Sequence, residues 1–211
     1  MFEGKLIWPA DLVLKIEEEA GFWLLAQTME KQEERDIRDA EGSIAKVWSP
    51  PPKGWDKCNV GVAWNSKSKR SGGSWVLRNE KGKVLIHSRR TFSNIQSLEE
   101  AKFQGLLWSL ECMNSHRRNR VIVAIDDTVL PNIILRPKAW PNFRWQYAQM
   151  MGRLRKIEWW RLIKESKATN RGAFLIAQSV IKGDYAQSYV ATGPPLWLKE
   201  TFENEEISPS S

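Results

Sequence analysis

One apolar run with a glycine inside it constrains this chain more than any other feature. Residues 57–65 read Lys-Cys-Asn-Val-Gly-Val-Ala-Trp-Asn. The run follows a proline-rich break, Ser49 to Trp55, and precedes a basic turn that ends in Gly72 and Gly73. At period two, Cys58, Val60, Val62 and Trp64 share one side of a strand, and Asn59, Gly61 and Ala63 share the other. Gly61 is the odd member. A glycine within a strand gives up packing, so it usually marks a bulge or a close approach of another backbone. It also marks a place where a side chain is missing.

Around that strand the chain divides into three. Residues 1–48 form an N-terminal helical extension and linker. Leu12, Ile16, Ala20, Trp23, Leu24 and Gln27 share a stripe at helical spacing within 9–41, and the prolines at 50–52 stiffen the approach to the strand. Residues 49–182 form the main domain and 183–211 a C-terminal tail. Within the domain the spacing predicts strands at 57–65, 73–78 and 83–88, with a turn at Asn79–Gly82. A helix comes next over about 98–115, capped by Ser97 with Glu99 and Glu100 in its first turn. Arg120–Ala124 is an apolar run suited to a strand buried on both faces. A short helix over 127–135, a basic helix over 142–156, a strand at 159–163 and a helix over 169–182 complete the order. The tail reads as loop with a short amphipathic segment. Three antiparallel strands and then alternation predict an α/β fold, a mixed five-stranded sheet flanked by helices.

Charge bears on the partner. The net charge is +7 over 211 residues, but it is unevenly spread. Residues 1–41 carry 11 acids and 5 bases, and residues 200–211 carry 4 acids and no base. The middle of the chain is therefore +17. Such a domain either meets a polyanion or folds its own acidic ends over its surface. Nucleic acid is the natural partner, and a basic solvated surface is the plain alternative. The N-terminal helix is a candidate dock for a protein partner. The 12 tryptophans build either a Trp-rich core or stacking surfaces for bases. Two cysteines, Cys58 and Cys112, read as small buried hydrophobes, and with two scattered histidines they make no zinc set. No apolar run is long enough to span a membrane and the first residues lack a secretory core. The expectation is a soluble, intracellular protein, nucleus or cytoplasm unassigned.

The motifs carry a resemblance. PPPKGWDKCNVGVAW, GGSWVLRNEKGKVL, SLEEAKFQGLLWSLE, RVIVAIDD and SKATNRGAFLIAQ, in that order, resemble the ribonuclease H-type domain of plant non-LTR retrotransposon reverse transcriptase-like proteins. The flanking segments DLVLKIEEEAGFWLLAQ and QSYVATGPPLWL resemble those of crucifer members. The resemblance implies a ribonuclease H-like fold and cleavage of RNA–DNA hybrids by two divalent metals held by four carboxylates.

Here the sequence departs from the family. Gly61 stands where the first acid belongs, Lys102 at the second and Phe174 at the fourth. Only Asp126 is retained as a candidate catalytic acid. Neighbouring acids do not restore the set. Asp56 lies about 16 Å back along an extended strand, Glu99 one turn along the helix from Lys102, and Asp127 on the face opposite Asp126 if the strand persists. Lys102 is placed to pair with Asp126. The resemblance therefore implies a nucleic-acid-binding protein with no metal cofactor, with Mg²⁺ required only under the alternative of an altered hybrid endonuclease. The candidate nucleic-acid contacts are Lys67, Lys69 and Arg70 in the first turn, Arg117, Arg118 and Arg120 before the buried strand, and Asn59 and Asn170 at family positions. Asn59 either touches a ribose or holds the sheet edge.

Overall fold

The computed structural model describes residues 48–183 and 187–206. The helix expected over 9–41 lies outside the described residues. The described chain runs β1 (Asp56–Asn65), β2 (Arg70–Arg78), β3 (Val84–Phe92), α1 (Leu98–Ser115), β4 (Arg120–Ile125), α2 (Val129–Leu135), α3 (Arg144–Leu154), β5 (Trp159–Lys164), α4 (Arg171–Lys182), β6 (Tyr189–Thr192) and α5 (Lys199–Glu203). Short 3₁₀ turns precede α3 and α5.

The strands form one mixed sheet in the order β5-β4-β1-β2-β3-β6. β1, β2, β3 and β6 pair antiparallel in succession, while β4 and β5 continue parallel from the other edge of β1. The parallel pairs are joined through helices, because parallel strands need a crossover. The sheet has six strands rather than the expected five. Tyr189–Thr192 is too short, and too close to glycine and prolines, to carry a strand pattern of its own. It is recruited by the free edge of β3 and by side chains. The Ser88 hydroxyl donates to the Tyr189 carbonyl at 2.6 Å. His87 Nδ1 donates to the Gly193 carbonyl at 2.6 Å, and the Tyr189 hydroxyl meets His87 Nε2 at 3.1 Å.

Period two assigns the two faces. Cys58, Val60, Trp75, Leu77, Val123 and Ile125 face α1, where Phe103, Leu106, Leu110 and Met113 complete the larger core. Val76 and Val84 face the other way, against Ala173, Leu175 and Ile176 of α4. The segment read as a tail closes that second layer: Leu198 and Phe202 are fully buried in it. A Cβ on Gly172 would come within 2.4 Å of the Phe202 ring, so the helix backbone rests directly on the aromatic face. The tryptophans divide. Trp48, Trp75 and Trp108 are buried, whereas Trp145 and Trp159 are 59% and 54% exposed. Cys58 and Cys112 are free thiols, and burial pushes both up from the usual range.

Two outcomes are expected from this packing. Phe202→Ala should lower stability by about 3–5 kcal/mol, read by denaturant unfolding. Burial of His87 lowers its pKa below the ordinary 6.5, against the pull of the Gly193 hydrogen bond. The unfolded chain then binds the proton more readily, so stability is full above about pH 6.5 and falls as pH drops below it. Thermal melts from pH 7.5 to 5 should show this decline, and His87→Gln should flatten it.

Candidate functional site

β1, the end of β4, the first turns of α1 and the start of α4 converge on one small cavity of about 100 Å³. Gly61, Lys102, Asp126, Lys167, Asn170 and Phe174 line it together with apolar neighbours. The four positions to which the resemblance assigns carboxylates are thus side by side, and one of them carries a carboxylate.

Gly61 is where the backbone of α4 lands. A Cβ built there would lie 2.2 Å from the carbonyl carbon and oxygen of Ala173 and 2.7 Å from the Phe174 nitrogen. Gly72 on β2 repeats the arrangement, with the Ala177 carbonyl oxygen 2.1 Å from its would-be Cβ. Ala173 and Ala177 are one turn apart on the same helix face, so small residues on both partners let helix and sheet meet. Ser74, the cross-strand partner of Gly61, fastens the contact: its hydroxyl donates to the Ala173 carbonyl at 2.5 Å.

Lys102 does not pair with Asp126. Its ammonium lies 3.4 Å from Asp127 Oδ2. The reason is local. β4 stops at Ile125, and the Asp127 amide turns back to the Ile125 carbonyl at 2.9 Å. Asp127 then caps α2, its Oδ1 accepting from the Leu130 amide at 2.8 Å. The strand does not persist, so Asp127 is not on the far face. Asp126 has no hydrogen bond or ion pair among the described residues.

Asn170 is 1% exposed. Its Nδ2 donates to the Val60 carbonyl at 2.7 Å, while its Oδ1 has no partner among the described residues. The exposed Lys167 holds its ammonium 4.2 Å above the Phe174 ring. This donor set does not fit a pair of divalent metals. Hard cations need several oxygen ligands, and the cavity offers one free carboxylate beside an ammonium. Among the described residues no cluster of three His, Cys, Asp or Glu side chains could hold a metal ion.

Asn59 is fully buried, and its carboxamide is already engaged. It accepts from Trp48 Nε1 at 3.0 Å and donates to Glu165 at 2.8 Å. Both arms of the amide are thus occupied within the protein. The same Glu165 pairs with the buried Lys57 at 2.7 Å. Arg78, beside Lys57 in register, is sandwiched between Trp48 at 4.1 Å and Phe202 at 4.5 Å and pairs with Glu205. Burial lowers the Arg78 pKa, offset by Glu205. Sequence reasoning missed Lys167, Glu165 and Arg78. For Lys167 the adjacent motif TNRGAF is the available signal; the other two leave no local pattern.

The basic candidates separate to two ends of the sheet. Lys67 and Lys69 are exposed in the β1–β2 turn, and Arg70 opens β2. The Lys69 carbonyl accepts from the Ile95 amide at 2.9 Å, which ties the turn to the segment leading into α1. Arg117, Arg118 and Arg120 lie before β4, with Arg120 about 20 Å along the strand from Asp126. Arg118 reaches Asp56 at 3.4 Å. Burial raises the Asp56 carboxyl pKa despite that guanidinium, which pulls it down. The later Arg153 is bound to Glu111 at 2.6 Å.

This architecture, three antiparallel strands and two parallel ones around a cavity at the end of β4, is that of the ribonucleases H. RNase H1 of the halophilic archaeon Halobacterium salinarum superposes with a TM-score of 0.55 at 17% identity, covering 62% of this chain and 99% of that one. The N-terminal RNase H domain of a Mycobacterium tuberculosis protein gives 0.52 at 14% identity, covering 61% and 94%. LC11-RNase H1, solved in complex with an RNA/DNA hybrid, gives 0.53 at 13%, covering 61% and 98%. No curated protein matches. The family model described as Reverse transcriptase-like matches residues 59–180, more than half of the sequence, and the chain belongs to that family.

Because position 61 has no room for a Cβ, Gly61→Ala should cost about 1–3 kcal/mol by overpacking. Gly61→Asp should cost more and should not produce Mg²⁺ binding by calorimetry.

Proposed function

We propose that this chain is a ribonuclease H-like module that binds nucleic acid, an RNA/DNA hybrid or a duplex, without metal-dependent cleavage. The observation that carries this reading is position 61, where the backbone of α4 occupies the space a carboxylate would need. Lys102 beside it adds positive charge where a metal would be held. Binding does not need the metals. Protein–nucleic acid contacts fall largely on phosphate and sugar, through basic side chains and backbone amides. The basic middle of the chain supplies such groups, and Lys67 and Lys69 present them at the cavity end of the sheet. The hybrid bound in the LC11-RNase H1 complex, a protein of the same fold, supports the same reading.

The motif agreement with crucifer retroelement proteins supports an origin of the domain in such an element. An intracellular setting accords with its free cysteines. Among the described residues no helix is long and apolar enough to cross a membrane. One observation favours a second reading, an altered hybrid endonuclease: the carboxylate of Asp126 remains at the cavity with no partner among the described residues.

The test uses the full chain with labelled hybrid, DNA duplex and single strands. Binding should be detectable by fluorescence anisotropy, with log K falling linearly as log salt rises. No cleavage should appear at high protein concentration with Mg²⁺ or Mn²⁺. Metal-dependent cleavage abolished by Asp126→Asn would establish the endonuclease instead, and absence of salt-sensitive binding would overturn both.

A further inference from the structure

β5 is a free edge of the sheet, and one of its faces is thinly covered. Its register with β4 puts Trp159, Arg161 and Ile163 beside Arg120, Ile122 and Ala124. This is the face that carries Asn59 and Gly61 in β1, the α4 side. α4 packs on β1, β2 and β3, farther along the sheet. The helix that packs on β5 is α2, which joins α1 on the opposite face. On the α4 side the proline-rich linker crosses, with the Trp55 ring 5.3 Å from the Arg161 guanidinium. That strip leaves Trp159 54% exposed and Arg161 exposed. The Trp159 indole N–H is held by its neighbour Glu158 at 3.1 Å, so what the ring offers is apolar surface. Arg120 and Arg161 have no carboxylate partner among the described residues.

An open edge with an exposed tryptophan is a liability for a sheet, and one way to relieve it is a helix laid over it. The chain carries a segment of matching character. Leu12, Ile16, Ala20, Trp23 and Leu24 recur at helical spacing, and a short amphipathic helix is marginal in water until its stripe is buried. At about 3.6 residues per turn, Glu17 and Glu19 lie on opposite flanks of that stripe. Residues 1–41 carry 11 acids against 5 bases. An apolar stripe with acidic flanks complements Trp159 and Ile163 set beside Arg120 and Arg161. Length and position agree as well. The stripe over 12–24 is about 18 Å long, and Trp159 to Ile163 spans about 13 Å. Trp48 is bound to Asn59, which is level with Ala124 and Ile163 and two strands, about 10 Å, from the edge. Residues 42–47 alone reach about 20 Å.

We propose that this face of β5 is the docking site of the chain's own N-terminal segment: a helix within residues 9–41 lays its apolar stripe on Trp159 and Ile163, and its flanking acids meet Arg120 and Arg161. The inference goes beyond the nucleic-acid-binding reading and does not rest on it. The contact buries an apolar strip on each partner and closes the sheet edge against strand addition by another chain. It also gives the uneven charge a use, since the acidic end neutralises part of the basic domain.

Hydrogen exchange of the full chain, read by mass spectrometry over residues 9–41, tests this. In the unsubstituted protein the amides of 12–27 should exchange at least about ten-fold more slowly than in an unstructured chain. Trp159→Ala/Arg161→Glu should remove that protection, and thermal melts should show the domain still folded, because both side chains are exposed. If that variant does not fold, Glu17→Lys/Glu19→Lys, outside the domain, should by itself speed exchange over the same residues. Joining Glu17→Lys/Glu19→Lys to Arg161→Glu should restore part of the protection, which a merely damaged surface would not do. Fast exchange over 12–27 in the unsubstituted protein would overturn the proposal. So would protection that neither set of substitutions changes, since the segment would then lie elsewhere. Protection that rises with protein concentration, together with a dimer by light scattering, would assign the face to a second copy and overturn it too. Each of these results leaves salt-sensitive nucleic-acid binding to be judged by its own experiment.

Discussion

The contact between the backbone of α4 and the middle of β1 is the constraint on which the site depends. Gly61 and Gly72 lie under Ala173 and Ala177, and Ser74 between them donates to the helix. The opposite face repeats the device in reverse. Gly105 on α1 leaves room for Val62, whose Cγ2 would lie 2.7 Å from a Cβ there. β1 is thus pressed between two helices by glycines, one in the strand and one in the helix. Interiors are close-packed, and an added methyl group is felt at once. The approach of α4 also draws Asn170 onto the Val60 carbonyl. The contents of the cavity, including the buried amide, result from helix-on-sheet packing before any chemistry is considered.

A second constraint lies at the other end of β1. Lys57 and Arg78 are buried cations that both face the ring of Trp48, at 5.1 and 4.1 Å. Glu165 and Glu205 neutralise them. Such buried pairs contribute little net stability relative to apolar packing, although breaking one leaves a stranded charge at a cost of about 3–5 kcal/mol. Their effect here is positional. Trp48 belongs to the linker and Glu205 to the C-terminal segment, and both are fixed to the same sheet end. Electrostatically, the pairing removes Lys57, Arg78, Arg118 and Arg153 from the free basic surface. The strong positive balance of the middle sequence therefore overstates the exposed field, which is left to groups such as Lys67, Lys69 and Lys167.

Much of the fold is legible in the residues because local pattern and global burial agree. The alternation in β1, the unbroken apolar run of β4 and the Ser97 cap of α1 each have a short-range cause. β6 is illegible because its cause is long-range: a four-residue strand is held by His87 and Ser88 from a hundred residues earlier in the chain. The direction of Asp127 is illegible for a related reason. It depends on β4 ending at Ile125, and strand ends are not encoded in alternation. Asn59 shows the limit of motif reading. The residue type suits a sugar contact, but burial commits its amide to Trp48 and Glu165. Of the two sequence readings of Gly61, the packing shows the close backbone approach.

The close approach at Gly61 bears on the expectation of a lost carboxylate site. A cluster of carboxylates repels a phosphate until metal ions reverse its sign. Removing one acid leaves the rest still repelling, with weaker metal binding to compensate. Removing acids while adding an ammonium changes the sign of the site directly. In this chain the space beside position 61 is filled by the helix. Restoring the acid at 61 alone would force α4 off the sheet, and Lys102 and Phe174 would still face the cavity. Gly61 and Lys102 are thus each set by their neighbours, one through packing and the other through charge. Lys102, tethered to an Asp127 that is itself tied to the start of α2, is held in that arrangement and does not swing free in solvent. A positive group fixed by its neighbours loses less freedom on meeting a phosphate than a mobile one, so under the proposed nucleic-acid-binding reading Lys102 would make a favourable contact.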